Sequence, residues 1–142
     1  MSPLIGGFIF LSTRLGLIPE WHAQNLLFEF DTDHKSKRIV FRDLGDMFKD
    51  YEMRRSLGKH VSFCSYKSLN PPQDDDLFKR RSFAYDYKLG EYLLLPLANR
   101  FAHEFGVAPK LVLGPIRELA RSLWTKVPGY FENSKVWYDY PN

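Results

Sequence analysis

The chain has 142 residues, 44% of them hydrophobic and 26% charged, and carries a formal net charge of +3 at pH 7. That is enough for one domain with its own core; the small positive charge favours anionic small molecules such as nucleotides or polycarboxylates and leaves no footprint for nucleic acid. Its one cysteine, Cys64, excludes an intramolecular disulfide, a cysteine-rich metal site and an iron–sulfur cluster.

Ser2-Pro3 reads as a helix start, a capping hydroxyl followed by proline at the first helical position. Leu4, Phe8, Leu11 and Leu15 recur at helical spacing, and Gly16 and Pro19 end the run. Gly6-Gly7 weakens this helix, so it needs tertiary support or close packing. The first thirteen residues are apolar but lack a basic start, and Arg14 ends them, which argues against a signal peptide. No stretch reaches the roughly 20 apolar residues that span a bilayer. A soluble, cytoplasmic protein with no membrane partner is expected.

Leu26–Phe30 and Arg38–Phe41 read as two strands around the polar loop 31–37, a β-hairpin. A short helix is expected over Met47–Leu57. Asn70-Pro71-Pro72 is a break, and 74–106 reads as helical, with Asp74-Asp75-Asp76 at its start, Gly90 and Pro96 splitting or kinking it, and Gly106 as its C-cap. Leu94, Ala98, Phe101 and Phe105 form the expected core stripe. The last helix has Pro115 in its first turn and Ile116, Leu119, Ala120, Leu123 and Trp124 on one face, with Arg117, Glu118, Arg121 and Ser122 opposite. Pro128-Gly129 stops it. Arg54-Arg55 and Lys79-Arg80-Arg81 sit beside acids and read as solvated, charge-balanced faces. The sum is one α+β domain over 1–142, mainly helical with a central antiparallel β-hairpin: the hairpin portion at about 20–45, the helical portion at about 74–127.

The densest chemistry is Glu20-Trp21-His22-Ala23-Gln24-Asn25, directly before the first strand. With a symmetric hairpin loop, Leu26 faces Arg42 and Asn25 faces Asp43, about 4.5–5.5 Å apart. One carboxylate, two amides and an imidazole then gather at one end of the hairpin. Asp43 with Asn25 or Gln24 suits Mg²⁺, which takes oxygen ligands and shares them with substrate phosphates. His22 suits hydrogen bonding to a phosphate or an acyl oxygen, and Arg42 alternates away in a structural role.

Glu-x-His-x-Gln-Asn running into an apolar strand, followed by Arg42-Asp43 after a second strand, resembles the C-terminal half of the IucA/IucC siderophore synthetases, the NRPS-independent, aerobactin-synthetase-like family. The likeness covers residues 1 to about 45. It implies a palm-and-thumb part of a hand-shaped enzyme that uses ATP to adenylate citrate or a related polycarboxylic acid, which an amine, hydroxylamine or alcohol then attacks. It implies His22 as a catalytic residue, Gln24, Asn25 and Asp43 on the nucleotide side, and Asp43 and Asn25 as Mg²⁺ ligands, with Glu20 in the motif and no role assigned to it. Members of the family are several times longer, so the chain is expected to be incomplete and inactive alone. A separate N-terminal half or a homodimer would be its partner, the latter through Trp137, Tyr138 and Tyr140. The competing readings are a non-catalytic interaction domain of the same fold and, lower, a ferric-siderophore reductase, which Cys64 alone cannot equip with a cluster.

Overall fold

In the computed structural model, which describes residues 1–33, 35–60, 81–127 and 129–130, helix α1 spans Ser2–Phe10 with proline in its first turn. Leu4, Ile5, Phe8 and Ile9 are its buried side, the stripe that helical spacing dictates. The helix widens into a π-helical turn, Leu11–Leu15. As the backbone ladder changes register there, Ser12 Oγ donates to Phe8 O at 2.7 Å and Thr13 Oγ1 donates to Ile9 O at 2.6 Å, which keeps these buried carbonyls satisfied. Gly16 ends the turn at φ +60°, where a Cβ would stand 2.5 Å from Arg54 Cγ and 3.0 Å from Asp50 O. Handedness and space both demand glycine.

Strand β1 (Leu17–Ile18) pairs antiparallel with β4 (Phe48–Lys49). Between them in sequence, β2 (Leu26–Phe30) and β3 (Ser36–Phe41) form the expected hairpin as a separate two-stranded sheet. Its turn is built by Asp31, whose Oδ1 accepts from Asp33 N at 3.0 Å and Lys35 N at 2.8 Å. The register differs from the symmetric one: Leu26 faces Phe41, Phe28 faces Ile39, and Phe30 faces Ser36, with an irregularity between Glu29 and Phe30. The hairpin closes at Phe30–Ser36, two residues tighter than a symmetric loop, and Lys37, with no opposite residue in the ladder, takes one back, so the pairs beyond it differ from the symmetric register by one. Lys37 and Arg38 both pair with Glu29 and hold its carboxyl below the usual range.

The expected helix over Met47–Leu57 is shorter. Phe48–Lys49 joins the sheet, and Asp50 caps helix α2 (Tyr51–Ser56) by accepting from Met53 N at 2.9 Å. A second π-helical segment, Phe83–Leu94, runs directly into α3 (Leu95–Glu104). Pro96 lies in the first turn of α3, just after the change from π-helical to α-helical pairing. Gly106, at φ +62°, follows the end of α3 as expected. Helix α4 (Pro109–Trp124) starts a turn and a half earlier than expected, with Pro109 in its first turn and Pro115 in its interior.

Phe8 lies at the centre of the core, with ring centroids 5.6 Å from Trp21, 5.2 Å from Tyr85 and 6.3 Å from Trp124. Helix α4 buries Ala120 and Trp124 and packs Ile116, Leu119 and Leu123 on this cluster, the face its periodicity marks. The α3 stripe needs correction. Ala98 and Ala102 are buried, but Phe101 is 50% and Phe105 67% exposed. Helices α3 and α4 pack together, and the two exposed rings lie tilted against each other with centroids 4.4 Å apart.

The basic clusters are corrected too. Arg54 is buried and donates to Leu15 O at 2.6 Å and to His60 O at 2.8 Å. Arg81 is buried against Asp50, Nε to Oδ2 2.6 Å, and donates to Tyr130 O at 2.9 Å. Cys64, the 70–72 break, the acidic run at 74–76, Pro128 and the tail beyond Tyr130 lie outside the described residues. Among those described, no helix is long and apolar enough to cross a membrane.

Candidate functional site

Trp21 decides where its neighbours point. Its ring is wholly buried between Phe8 and Phe41, a burial worth on the order of 3 kcal/mol. It also explains Gly7, where a Cβ would come within 3.2 Å of Trp21 Cη2. The backbone at His22 is extended, φ −136° and ψ 161°, so Glu20 and His22 project to the side opposite the indole. The 3₁₀ turn Ala23–Asn25 then brings Asn25 back toward them, with Asn25 N donating to His22 O at 3.0 Å.

The result is a cluster around one carboxylate. His22 Nε2 is 3.2 Å and Asn25 Nδ2 3.3 Å from Glu20 Oε2. Lys88 Nζ, from the second π-helical segment, is 3.5 Å from Glu20 Oε1. The side chains are 14% exposed at Glu20, 20% at His22 and 23% at Lys88, partly accessible rather than sealed.

With Glu20 ionised, hydrogen-bond capacity assigns the imidazole proton. An ionised carboxylate only accepts, so His22 Nε2 must donate to Glu20 and cannot also accept from Asn25 Nδ2, 3.2 Å away. Asn25 therefore gives its N–H to Glu20. In the neutral ring this leaves the His22 Nδ1 lone pair without a partner among the described residues. A carboxylate that orients an imidazole in one tautomer is the arrangement of a general base.

The sequence-predicted residues are brought together only in part. His22 and Asn25 meet, and Glu20, to which no role was assigned, is the hub. The slipped register places Arg42 against Asn25, Arg42 N donating to Asn25 O at 2.8 Å, in place of the expected Asp43. Asp43 follows in a left-handed conformation, φ 56°, and is exposed, as is Gln24. The expected Asn25–Asp43 opposition is therefore absent. Among the described residues no group of three His, Cys, Asp or Glu could hold a metal ion. The chain offers separate exposed oxygens at Asp43 and Gln24, not a cage. Lys88 escaped the sequence reading because it arrives from a distant helix and no local pattern marks it.

Two residues before Lys88, Asp86 is buried, and burial together with the Glu91 carboxylate pushes its carboxyl up to about 8. No protein-family model, curated protein or solved structure matches the chain.

Proposed function

We propose that the chain forms one wall of the catalytic cleft of an ATP-dependent siderophore synthetase of the IucA/IucC type, which joins a polycarboxylic acid such as citrate to an amine, hydroxylamine or alcohol. The observation that carries the reading is the convergence of the motif residues Glu20, His22 and Asn25 on one carboxylate, with Lys88 beside it. In this reading Glu20 holds the imidazole, and His22 Nδ1 takes the proton of the attacking nucleophile. Lys88 balances the Glu20 charge and gives the acid a cation to approach. ATP would activate the acid for attack. Asp43 and Gln24 would serve the Mg²⁺ that accompanies a triphosphate, which needs only one or two carboxylates from the protein.

Calorimetric titration with Mg-ATP and an ATP-dependent condensation assay with citrate and a diamine test the reading. Asp43→Ala with Gln24→Ala should weaken Mg-ATP binding about tenfold, the worth of one charged contact. His22→Ala should leave that binding intact and reduce condensation at least about a hundredfold. A chain that binds no Mg-ATP, or binds it equally well after the Asp43 and Gln24 changes, sinks it.

One observation favours the second reading, an interaction domain. The hairpin exposes Leu27 and Val40 on one face and Phe30 on the other, more apolar surface than a free hairpin tolerates comfortably. Loss of self-association on Leu27→Lys, in a chain without nucleotide affinity, would favour it.

A further inference from the structure

A cleft of about 540 Å³ lies between α1, the first π-helical turn and the C-terminal end of α4, and none of the Glu20 cluster lines it. Its size falls in the range of small-molecule sites. Ile9, Leu123 and Val127 give it an apolar lining, with the 57% exposed ring of Phe10 at its rim. Two cations, Arg14 and Lys126, also border it, and no acidic residue does. Neither is paired with an acid among the described residues. An apolar trough bordered by two cations, with no acid beside them among the described residues, is complementary to an anion with a hydrocarbon body.

Gly6 supplies an independent observation. Glycine inside a helix is unfavourable relative to alanine, and packing accounts for the neighbouring Gly7, which lies against Trp21. It does not account for Gly6, because a Cβ built there meets nothing within 4 Å and Gly6 lines the cleft. Among the described residues, no atom fills the space at Gly6.

We propose that this cleft binds a medium-chain aliphatic monocarboxylate, its carboxylate between Arg14 and Lys126 and its chain along Ile9, Leu123 and Val127 past Gly6. The test is calorimetric titration of the full chain at low ionic strength with decanoate and with decyltrimethylammonium, which carries the same chain and the opposite charge, both below their micelle concentrations. Decanoate should bind one to one and the cation at least tenfold more weakly. Arg14→Ala with Lys126→Ala should weaken decanoate at least about tenfold. Gly6→Leu, whose Cβ meets no atom of the described residues and which improves helix propensity, should abolish saturable binding without lowering Tm. Absence of saturable decanoate binding, equal binding of the two amphiphiles, or binding unchanged in Gly6→Leu overturns the proposal.

Discussion

Two carboxylates in this molecule each gather a cation and an additional donor, and they behave as opposites. Asp50 is fully buried. It holds Arg81 at 2.6 Å while it caps α2, and Tyr130 lies over the guanidinium at 4.7 Å. Glu20 keeps its partners at 3.2–3.5 Å and retains some exposure. A sealed pair whose donors are all committed to the fold is architecture. A looser one that leaves a ring nitrogen without a partner among the described residues has hydrogen-bonding capacity left over. Each site centres on a carboxylate and a cation, so the distinction lies in how many hydrogen-bonding groups stay unused among the described residues and in access to them.

The largest effect that would break this comparison belongs to the sealed site. Asp50→Ala strands Arg81 in the interior and removes the α2 cap, and should cost about 3–5 kcal/mol, lowering Tm by roughly 10 °C in a thermal melt. An equal loss from Glu20→Ala would erase the contrast.

Asp86 comes next, through pH. Its carboxyl is raised to about 8 when folded, against about 4 when unfolded, so between those values the folded state holds a proton that the unfolded state has released. Its contribution is fully present below about pH 4 and is lost as pH rises through about 8. Stability should fall across that window, and Asp86→Asn should flatten the decline and raise Tm at pH 8. Melts from pH 5 to 8 read this directly, and an unchanged slope in the variant would contradict it.

The smallest expected effect on stability is at the open site. Glu20→Gln should change stability by less than about 1 kcal/mol yet release the His22 tautomer, because an amide can either donate or accept. Nitrogen-15 shifts of the imidazole should move from the Nε2–H form toward a mixture. A ring that keeps one tautomer in the variant would show that Glu20 does not orient it.

Legibility in the sequence followed the range of the forces. The first helix, the hairpin and the buried face of α4 rest on local spacing and were readable from it. The register was not, because the turn closes at Phe30–Ser36 with Lys37 left out of the ladder, and the net shift of one residue exchanges Asp43 for Arg42 opposite Asn25. Arg54 and Arg81 looked like solvated charges because their partners, Leu15 O and Asp50, are distant in sequence. Phe101 and Phe105 fit a core stripe by period, but the alanines at 98 and 102 are the residues buried. At the site, the motif named His22 and Asn25. The role of Glu20 appeared only once Trp21 had fixed which side the flanking residues take, and Lys88 required the tertiary fold.

Gly16 has a bearing on the site as well. Arg54 grips Leu15 O, Asp50 N donates to Gly16 O at 3.0 Å, and the Arg54 stem fills the place of the missing Cβ. The chain is thus clamped at two successive residues just before β1. From there only the pair Leu17–Ile18, itself hydrogen-bonded to β4, and Pro19 separate the clamp from Glu20. The aim of the imidazole is therefore inherited from α2: a helix with no side chain in the cluster sets the origin from which its coordinates are measured.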